Sequence, residues 1–428
     1  MTYPPTYAVE PVPRPVHATV SVPGSKSITN RALVLAALSE PGRDHALTGA
    51  LASDDTAVMV NCLMRLGFRV AADWPAGVVT VRNPTGRVIP ADRADLYVAN
   101  SGTTMRFVTA MLALGHGTYR LDGVPRMRER PIRDLLDALH QLGVDAVSEA
   151  GTGCPPVRLT AAGLRGGETT VRADVSSQFL SGLLLAAPRA ARPLTVTLAG
   201  PRVSEPYIDM TVAMLRTWGA DVTATPTGYS VQPGLTAPAG PYAIEPDASA
   251  ASYFWAAAAI AGGRVTVTGL GRDALQGDVR FVDVLAGMGC RVTASAAGIT
   301  VEGGPLRGID VDMGDISDTV MTLAAVACFA AGPTRVTNVG HIRHKETDRI
   351  AALATELRKL GAGVAEQADG LTITPQPLTG CEVATYDDHR MAMSLALVGL
   401  RVPGVVVADP GCVAKTYPNF WREFAALR

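Results

Sequence analysis

The chain has 428 residues, 43 of them glycine, with 47% hydrophobic and only 5% aromatic residues and a formal net charge of −1 at pH 7. This length exceeds the size at which one hydrophobic core keeps growing, and the composition is typical of a turn-rich α/β protein, so we predict two α/β domains. The near-neutral charge excludes a general nucleic-acid-binding protein, which requires a basic excess.

The N-terminal and cysteine patterns predict a cytoplasmic protein. Residues 1–15, MTYPPTYAVEPVPRP, lack the basic segment and apolar core of a signal peptide. The six cysteines are widely spaced, with no CxxC or Cys–His spacing typical of zinc, so we expect reduced thiols and no metal. The longest apolar segments, 253–261 and 320–331, are too short to cross a bilayer, so no membrane partner is expected.

The first motif along the chain, VPGSKSITNRAL at 22–33, is typical of a strand, a turn and a helix start. The first turn of a helix has unpaired backbone N–H groups and the positive end of the helix dipole, so it attracts anions. Ser25, Lys26, Ser27 and Arg31 stand at this end. The motif alone fits either an anion site or an ordinary helix cap with solvated cations.

The same corner returns five times, at intervals of 68 to 76 residues, beginning at Ser101, Ser176, Ser249, Ser317 and Asp388. Each apolar helix is followed by a β-branched segment and then by an amphipathic helix, which in five copies ends in the glycine typical of a C-cap. Two further strands complete the copy. The sequence therefore predicts six βαβαββ repeats.

The last repeat lacks its closing strands, while two strands at 7–12 and 17–22 precede the first repeat and belong to none. We predict that these N-terminal strands complete the last repeat. One domain then comprises residues 23–241 with repeats one to three, and the other comprises 1–22 and 242–428 with repeats four to six. The glycine and proline content of 233–241 favours this boundary.

Two segments carry more charge than folding requires: GVPRMRERPIRDLLDAL at 123–139 and GHIRHKETDRIAALATELRKLGAG at 340–363. Cations at a helix N-terminus oppose the dipole, so they need an external anion or a carboxylate partner. Local pairing is the alternative, for example Arg128 with Glu129, or Arg349 with Glu346 and Asp348.

Cations recur at the predicted helix starts of both halves: Lys26, Arg31, Arg130, Lys345, Arg349, Arg390 and Lys415. Uncharged hydrogen-bonding groups lie near other starts and suit a polyol or a carboxylate rather than a metal: Asn100, Ser176, Ser177, Gln178, Ser204 and Tyr207. Asp318 and His389, also at helix starts, fit either a structural or a chemical role. The predicted ligands are small molecules with several negative charges.

Nine motifs in order closely resemble the EPSP synthase family, the 3-phosphoshikimate 1-carboxyvinyltransferases: GSKSITNRAL, NSGTTMR, RMRERPI, SSQFLS, SEPYIDMT, SDTVMT, HKETDR, DDHRMAM and AKTYP. The resemblance covers essentially the whole chain. It implies two domains, each an inverse α/β barrel of three βαβαββ units, which close on substrate with the active site in the interdomain cleft. The implied reaction transfers the enolpyruvyl group of phosphoenolpyruvate to the 5-hydroxyl of shikimate 3-phosphate, without cofactor or metal. We expect a monomer.

The resemblance also implies roles for single residues. Shikimate 3-phosphate would be held by Lys26, Ser27, Arg31, Ser176, Ser177, Gln178, Ser204, Tyr207, Asp318, His341 and Lys345. Phosphoenolpyruvate would be held by Lys26, Asn100, Gly102, Arg130, Gln178, Glu346, Arg349, His389, Arg390 and Lys415. Asp318 would accept the hydroxyl proton, and Glu346, with Lys26 nearby, would protonate the methylene carbon.

Two positions depart from the family pattern: His341 replaces a common asparagine, and Phe107 replaces a common proline. Two other functions were weighed. The related enzyme acting on UDP-N-acetylglucosamine commonly has a GAKNA-type first motif and a reactive loop cysteine, but this chain has GSKS and no cysteine between Cys62 and Cys154. A homologue that binds without catalysis should have lost an acid, a base or a cation, yet all are present.

Overall fold

A computed structural model describes residues 3–172, 174–200 and 202–428 of the chain. The chain divides into two compact units, and each is described by itself. The split unit comprises Met1–Pro23 and Glu245–Arg428, and the continuous unit comprises Gly24–Ile244. No helix in the described residues has both the length and the apolarity needed to span a membrane.

The secondary-structure elements follow one another in three stretches of the chain. The N-terminal stretch contains strands β1 (Thr6–Ala8) and β2 (Val16–Val20). The continuous unit contains α1 (Lys26–Leu38), β3 (His45–Thr48), α2 (Asp54–Arg65), β4 (Arg69–Asp73), β5 (Val78–Arg82), β6 (Arg93–Tyr97), α3 (Gly102–Leu112), β7 (His116–Asp122), α4 (Arg133–Gln141), β8 (Asp145–Ser148), β9 (Val157–Ala162), β10 (Gly167–Arg172), α5 (Ser177–Ala186), β11 (Leu194–Ala199), α6 (Glu205–Thr217), β12 (Val222–Thr225), β13 (Gly228–Val231) and β14 (Tyr242–Ala243).

The C-terminal stretch of the split unit contains α7 (Ala248–Ala261), β15 (Gly263–Thr268), α8 (Phe281–Gly287), β16 (Arg291–Ser295), β17 (Gly298–Glu302), β18 (Asp310–Asp312), α9 (Val320–Ala327), β19 (Thr334–Thr337), α10 (Arg349–Lys359), β20 (Gly363–Gln367), β21 (Gly370–Thr374), β22 (Glu382–Val383), α11 (His389–Gly399), β23 (Val406–Ala408) and α12 (Phe420–Ala425). Short 3-10 helices that bear on the site lie at Gly277–Arg280, Gly314–Thr319, Gly340–His344 and Pro410–Lys415.

The sheets of the continuous unit share one plan, in which a parallel pair is extended by two antiparallel strands. Their strand orders are β14-β3-β5-β4, β6-β7-β9-β8 and β10-β11-β13-β12. In the second and third sheets the parallel strands are joined through a helix, as expected because a parallel connection needs a crossover. The mixed α/β fold class predicted from the sequence is confirmed.

The split unit contains the sheets β16-β17-β15-β2, β18-β19-β21-β20 and β1-β23-β22. Of the two N-terminal strands that we assigned to the last repeat, β1 pairs with β23, whereas β2 pairs in parallel with β15 near the start of the C-terminal stretch. The repeat pattern could not distinguish these partners, because both edges offer unpaired backbone groups to a strand.

The core of each unit is built around helices that are buried on all sides. Every residue of α3, α7 and α11 is buried, as their nearly continuous apolar sequences require. The polar motif residues lie at the starts of such helices. Ser25, Ser101 and Ser176 cap α1, α3 and α5 through their side-chain oxygens. These helix starts therefore carry polar groups into the interior of the protein.

Two helix starts differ from those expected. Asp247 rather than Ser249 caps α7, with the backbone N–H of Ala250 donating to its carboxylate. Ser317 lies inside the 3-10 helix Gly314–Thr319, and α9 begins only at Val320. At α7 an aspartate replaces the serine as the cap, and side-chain patterns do not distinguish Asp from Ser as caps. At α9 the N-cap residue is Thr319, which makes no side-chain cap hydrogen bond.

Candidate active site

Arg349 is the centre of a buried cluster of charges in the split unit. It is the first residue of α10, and its side chain is only 1% exposed. Its Nε donates to Asp388 Oδ2 at 2.8 Å, and its Nη2 donates to Asp388 Oδ1 at 3.3 Å. Nη1 donates to Asp318 Oδ1 at 3.1 Å, and Nη2 also donates to Glu346 Oε2 at 3.0 Å. One guanidinium group therefore holds three carboxylates in fixed positions.

Burial opposes the charged form of Arg349, but the carboxylates outweigh it. Asp388, Glu346 and Asp318, in that order, raise the pKa of Arg349 above its usual range. The group stays a cation at every physiological pH. Replacing it would leave the buried carboxylates without their common partner.

Further cations surround the two carboxylates predicted to be catalytic. Arg390 Nη2 donates to Asp318 Oδ2 at 2.7 Å, and Lys345 Nζ lies 3.8 Å from Asp318 Oδ1. Lys415 Nζ lies 3.8 Å from Glu346 Oε1. Six predicted site residues, counting Arg349, thus meet in one cluster, although they come from four separate segments of the chain.

The local sequence explains how the HKETDR motif enters this cluster. Asp348 caps α10, accepting from the backbone N–H of Ala351 at 3.0 Å. The carboxylate of Asp348 also accepts hydrogen bonds from Arg343 Nη1, at 2.8 and 3.0 Å. The local pairing considered for Arg349 is thus correct for Glu346, but Asp348 pairs with Arg343 instead.

The two histidines of the split unit that were predicted as site residues, His341 and His389, are both buried. His389 begins α11 and has no exposed surface, and its Nδ1 lies 3.7 Å from Asp388 Oδ1. His341 contacts Ser317, with Nε2 and Oγ 2.9 Å apart. Burial, and then the positive charge of Lys345, lower the pKa of His341 to about 3, so the ring is neutral at physiological pH.

Two residues of the split unit, Asp388 and Asp278, were not predicted as site residues. Asp388 was read only as a helix start, yet it provides two of the contacts to Arg349. Asp278 is buried and hydrogen-bonded to Ser249. Burial, and then the negative charge of Asp318, raise the pKa of Asp278 to about 6. The sequence signal for Asp278 is weak, because one aspartate in the segment QGD shortly before α8 also fits a solvated turn.

Arg31 is one of the buried cations of the continuous unit. Its Nε donates to Thr211 Oγ1 at 2.8 Å, and Nη2 donates to the Tyr207 carbonyl at 3.1 Å and to Ser181 Oγ at 3.3 Å. Nη1 donates to the Ser27 carbonyl at 2.9 Å. Among the described residues its hydrogen-bond partners are hydroxyl and carbonyl oxygens rather than carboxylates. Such a buried cation fits an anionic ligand.

The surroundings of Arg31 confirm its burial. Burial lowers the pKa of Arg31 to about 10, which still leaves it protonated near neutral pH. Its guanidinium carbon lies 5.0 Å from the centre of the Phe107 ring. Phe107, which departs from the family pattern, thus contacts a predicted substrate-binding cation.

A second cation of the continuous unit lies beside a glycine. Arg130 Nη1 donates to the Asn100 carbonyl at 3.0 Å and to Asn100 Oδ1 at 3.1 Å. A Cβ added at Gly102 would lie 2.5 Å from Arg130 Nη2 and 3.0 Å from Arg106 Nη1. The absence of a side chain at Gly102 therefore lets two guanidinium groups approach the start of α3.

The remaining predicted residues of the continuous unit lie at helix starts. Lys26 and Ser27 begin α1, and Ser177 and Gln178 begin α5. The backbone N–H of Gln178 donates to Ser176 Oγ at 3.2 Å. Ser204 is buried just before α6, which contains Tyr207.

The predicted local pair of Arg128 with Glu129 is wrong. Arg128 instead forms two hydrogen bonds with Asp122, at 2.8 and 2.9 Å, and Glu129 pairs with Arg126. Asp122 ends β7, so the long Arg128 side chain can reach back to it from the 3-10 helix Pro125–Glu129. The Asp122 side chain is only 12% exposed, whereas that of Glu129 is 63% exposed.

Residues with strained backbone conformations lie close to the predicted site residues in the sequence. Six non-glycine residues of the described chain have a positive φ, between 46° and 61°: Ala99, Ser204, Asn338, Tyr386, Asp387 and Asp409. Each is a predicted site residue or lies within about six residues of one in the sequence. Such conformations cost roughly 1–3 kcal/mol each and persist where the surrounding structure enforces them, often at functional sites.

The chain is similar to known proteins over nearly its whole length. The family model of EPSP synthase (3-phosphoshikimate 1-carboxyvinyltransferase) matches residues 11–424. The 3-phosphoshikimate 1-carboxyvinyltransferase of Nostoc sp. is 46% identical over 421 residues, which cover 98% of each chain. The enzyme of the same name from Yersinia pestis bv. Antiqua is 46% identical over 417 residues, 96% of each chain.

Solved structures show the same fold. The EPSP synthase of Acinetobacter baumannii matches with a TM-score of 0.82 and 26% identity, covering 99% of this chain and 98% of that chain. The enolpyruvyl transferase NikO from Streptomyces tendae matches with a TM-score of 0.75 at 21% identity, a likeness of fold alone.

The fold, the clustered cations and carboxylates, and these similarities define a transferase with a two-domain inverse α/β fold. Transferases of this class carry out enolpyruvyl transfer. The chain belongs to the EPSP synthase family. The family and the enzyme class predicted from the nine motifs are confirmed, whereas the six-repeat organisation stays a prediction.

Proposed function

We propose that the chain transfers the enolpyruvyl group of phosphoenolpyruvate to the 5-hydroxyl of shikimate 3-phosphate and releases phosphate. The observation that carries this proposal is the position of Asp318 and Glu346 on the two terminal nitrogens of Arg349, at 3.1 and 3.0 Å. The reaction needs a proton acceptor and a proton donor close together, because the bond-forming carbon and the protonated carbon of phosphoenolpyruvate are neighbours.

The reaction proceeds by addition and elimination. Asp318 accepts the proton of the 5-hydroxyl as its oxygen bonds to the central carbon of phosphoenolpyruvate. Glu346 protonates the methylene carbon, a step that the Lys26 cation assists, which gives a tetrahedral intermediate. The carbon–oxygen bond to phosphate then breaks while the new methyl group returns a proton to Glu346, and the proton held by Asp318 leaves with the phosphate. The enolpyruvyl ether and inorganic phosphate are the products.

The cations account for substrate binding. Both substrates carry a phosphate and a carboxylate, so they repel each other unless positive charge lies between them. Arg349, Arg390, Arg130 and Lys415 are assigned to phosphoenolpyruvate, and Arg31 and Lys345 to shikimate 3-phosphate. Cation clamps also stabilise the departing phosphate. We further propose that the protein is a cytoplasmic monomer. Size-exclusion chromatography with light scattering tests the monomeric state.

Phosphate release from phosphoenolpyruvate by the purified protein tests the proposed function. The assay is run without acceptor, with shikimate 3-phosphate and with UDP-N-acetylglucosamine. Release only with shikimate 3-phosphate is the expected result. Release only with the sugar nucleotide, or with neither acceptor, would contradict the proposal.

A change of His341 to asparagine is expected to leave kcat/KM within about threefold of the wild type from pH 6 to 9, because the buried ring is already neutral. Its stability should change with pH. The folded-state pKa of His341, about 3, lies below the unfolded value of 6.5, so the unfolded chain binds more protons below pH 6.5. The wild type should lose roughly 2 kcal/mol relative to His341→Asn between pH 7 and 5.

Urea unfolding of both proteins at pH 7 and pH 5 measures this difference, with His17→Asn at an exposed position as the control. Equal pH dependence of the wild type and His341→Asn would contradict the neutral, buried state of His341.

A change of Gly102 to alanine is expected to raise the KM for phosphoenolpyruvate roughly tenfold or more, while the melting temperature changes little. The new Cβ displaces the Arg130 guanidinium group, and a lost charge-assisted hydrogen bond is worth about 1.5–3 kcal/mol. Initial rates at varied phosphoenolpyruvate give the KM. Gly86→Ala is the matched control, because a Cβ there meets nothing within 4 Å. An unchanged KM in Gly102→Ala would remove Arg130 from phosphoenolpyruvate binding.

A further inference from the structure

Two adjacent strained residues precede Asp388. Tyr386 and Asp387 have φ values of 57° and 54°, in the left-handed region, which tyrosine rarely adopts and aspartate adopts only occasionally. Two such residues in succession persist only when neighbouring contacts enforce them.

The contacts that enforce this conformation converge on one buried carboxylate. Glu356 is 1% exposed and lies on α10. The Tyr386 hydroxyl donates to Glu356 Oε1 at 2.7 Å, and the Ala384 N–H donates to Glu356 Oε2 at 3.0 Å. Lys359 Nζ, 2.6 Å from Oε2, balances the charge. The segment is thus tied to Glu356 both before and within the strained pair.

The other end of the segment is tied to the same helix. Asp388 receives the Arg349 guanidinium group at 2.8 Å and caps α11, accepting from the Arg390 N–H at 2.9 Å. Arg349 and Glu356 are seven residues apart on α10, a spacing that places them on one face. The helix therefore holds residues 384–388 through Glu356, which contacts Ala384 and Tyr386, and through Arg349, which contacts Asp388.

We propose that Glu356 and Tyr386 are positioning residues for the phosphoenolpyruvate side of the site. Their hydrogen bond, here called the Glu356–Tyr386 clamp, keeps the strained pair in the conformation that holds Asp388 against Arg349 and presents Arg390 to the substrate. A helix cap by itself requires only Asp388, and a tyrosine that is 41% exposed gains little from burial. The inference rests on the proposed function, since Arg349 and Arg390 act on phosphoenolpyruvate there.

Steady-state kinetics of Tyr386→Phe test the clamp. The change removes one hydroxyl at an exposed position, so the protein should fold normally. We expect the KM for phosphoenolpyruvate to rise about three- to tenfold, while the KM for shikimate 3-phosphate stays within about twofold. Tyr97→Phe, at a tyrosine that is 59% exposed, is the matched control and should leave both constants unchanged.

Glu356→Gln gives an independent test, because one amide oxygen replaces two acceptors. We expect a rise in the same KM, and in the double variant a rise smaller than the product of the single ones, since both changes break one interaction. The inference would be overturned if Tyr386→Phe had the same KM for phosphoenolpyruvate as Tyr97→Phe, or if both KM values rose equally. It would also be overturned if the KM of the double variant rose by the full product of the two single rises. A wild type that releases no phosphate would instead overturn the proposed function.

Discussion

Asparagine at position 318 and, separately, glutamine at position 346 are expected to lower kcat by about 10²- to 10⁴-fold, the usual contribution of a general base or acid. Each amide keeps the shape of its carboxylate and an oxygen for Arg349, but it neither accepts nor donates the required proton. Phosphate release at saturating substrates measures kcat. Because Arg349 and Arg390 still occupy their places, substrate binding should fall less than turnover.

Two surface carboxylates changed to the corresponding amides serve as controls for the loss of a negative charge. Asp315→Asn changes a neighbour of Asp318 in the same 3-10 helix, where the carboxylate forms an exposed ion pair with Arg280. Glu366→Gln similarly removes a partly exposed partner of Arg343. Both controls should retain nearly full activity. A near-normal kcat in Asp318→Asn or Glu346→Gln would remove that residue from the chemistry.

Methionine in place of Arg349 is expected to destabilise the protein by about 3–5 kcal/mol and to abolish measurable turnover. Methionine fills much of the volume but leaves Asp388, Asp318 and Glu346 buried without their common cation, and removing one partner of a buried ion pair has this magnitude. Urea unfolding at pH 7 measures the free energy, and the phosphate assay measures activity.

Arg280→Met is the control for this change, because Arg280 and its partner Asp315 are each about half exposed. An exposed pair contributes about 0–1 kcal/mol, so this variant should unfold almost as the wild type does. Arg349→Lys adds a second comparison, since one ammonium group cannot contact three carboxylates as a guanidinium group does. A stability loss in Arg349→Met no greater than in Arg280→Met would contradict the central role of Arg349.

Features that depend on residues only a few positions apart could be predicted from the sequence. Ser25, Ser101 and Ser176 cap the helices expected of them, and the capping contacts reach only two or three residues along the chain. The ordered motifs correctly indicated the family for the same reason, because each is short and contiguous. Where an aspartate stood near the serine, as with Asp247 beside Ser249, the local pattern misplaced the helix start.

Partners that are distant in sequence depended on the folded chain. Glu346 lies close to Arg349 in the sequence. Asp318 and Asp388 also contact Arg349, although they lie 31 and 39 residues away from it along the chain. The clamp joins residues 30 apart, and Arg128 prefers Asp122 to its neighbour Glu129. A charged side chain pairs with whichever opposite charge packing and burial bring within reach, because the interaction strengthens as water is excluded. The sequence identifies the charged residues of this protein, and the packing of its helices determines which of them form pairs.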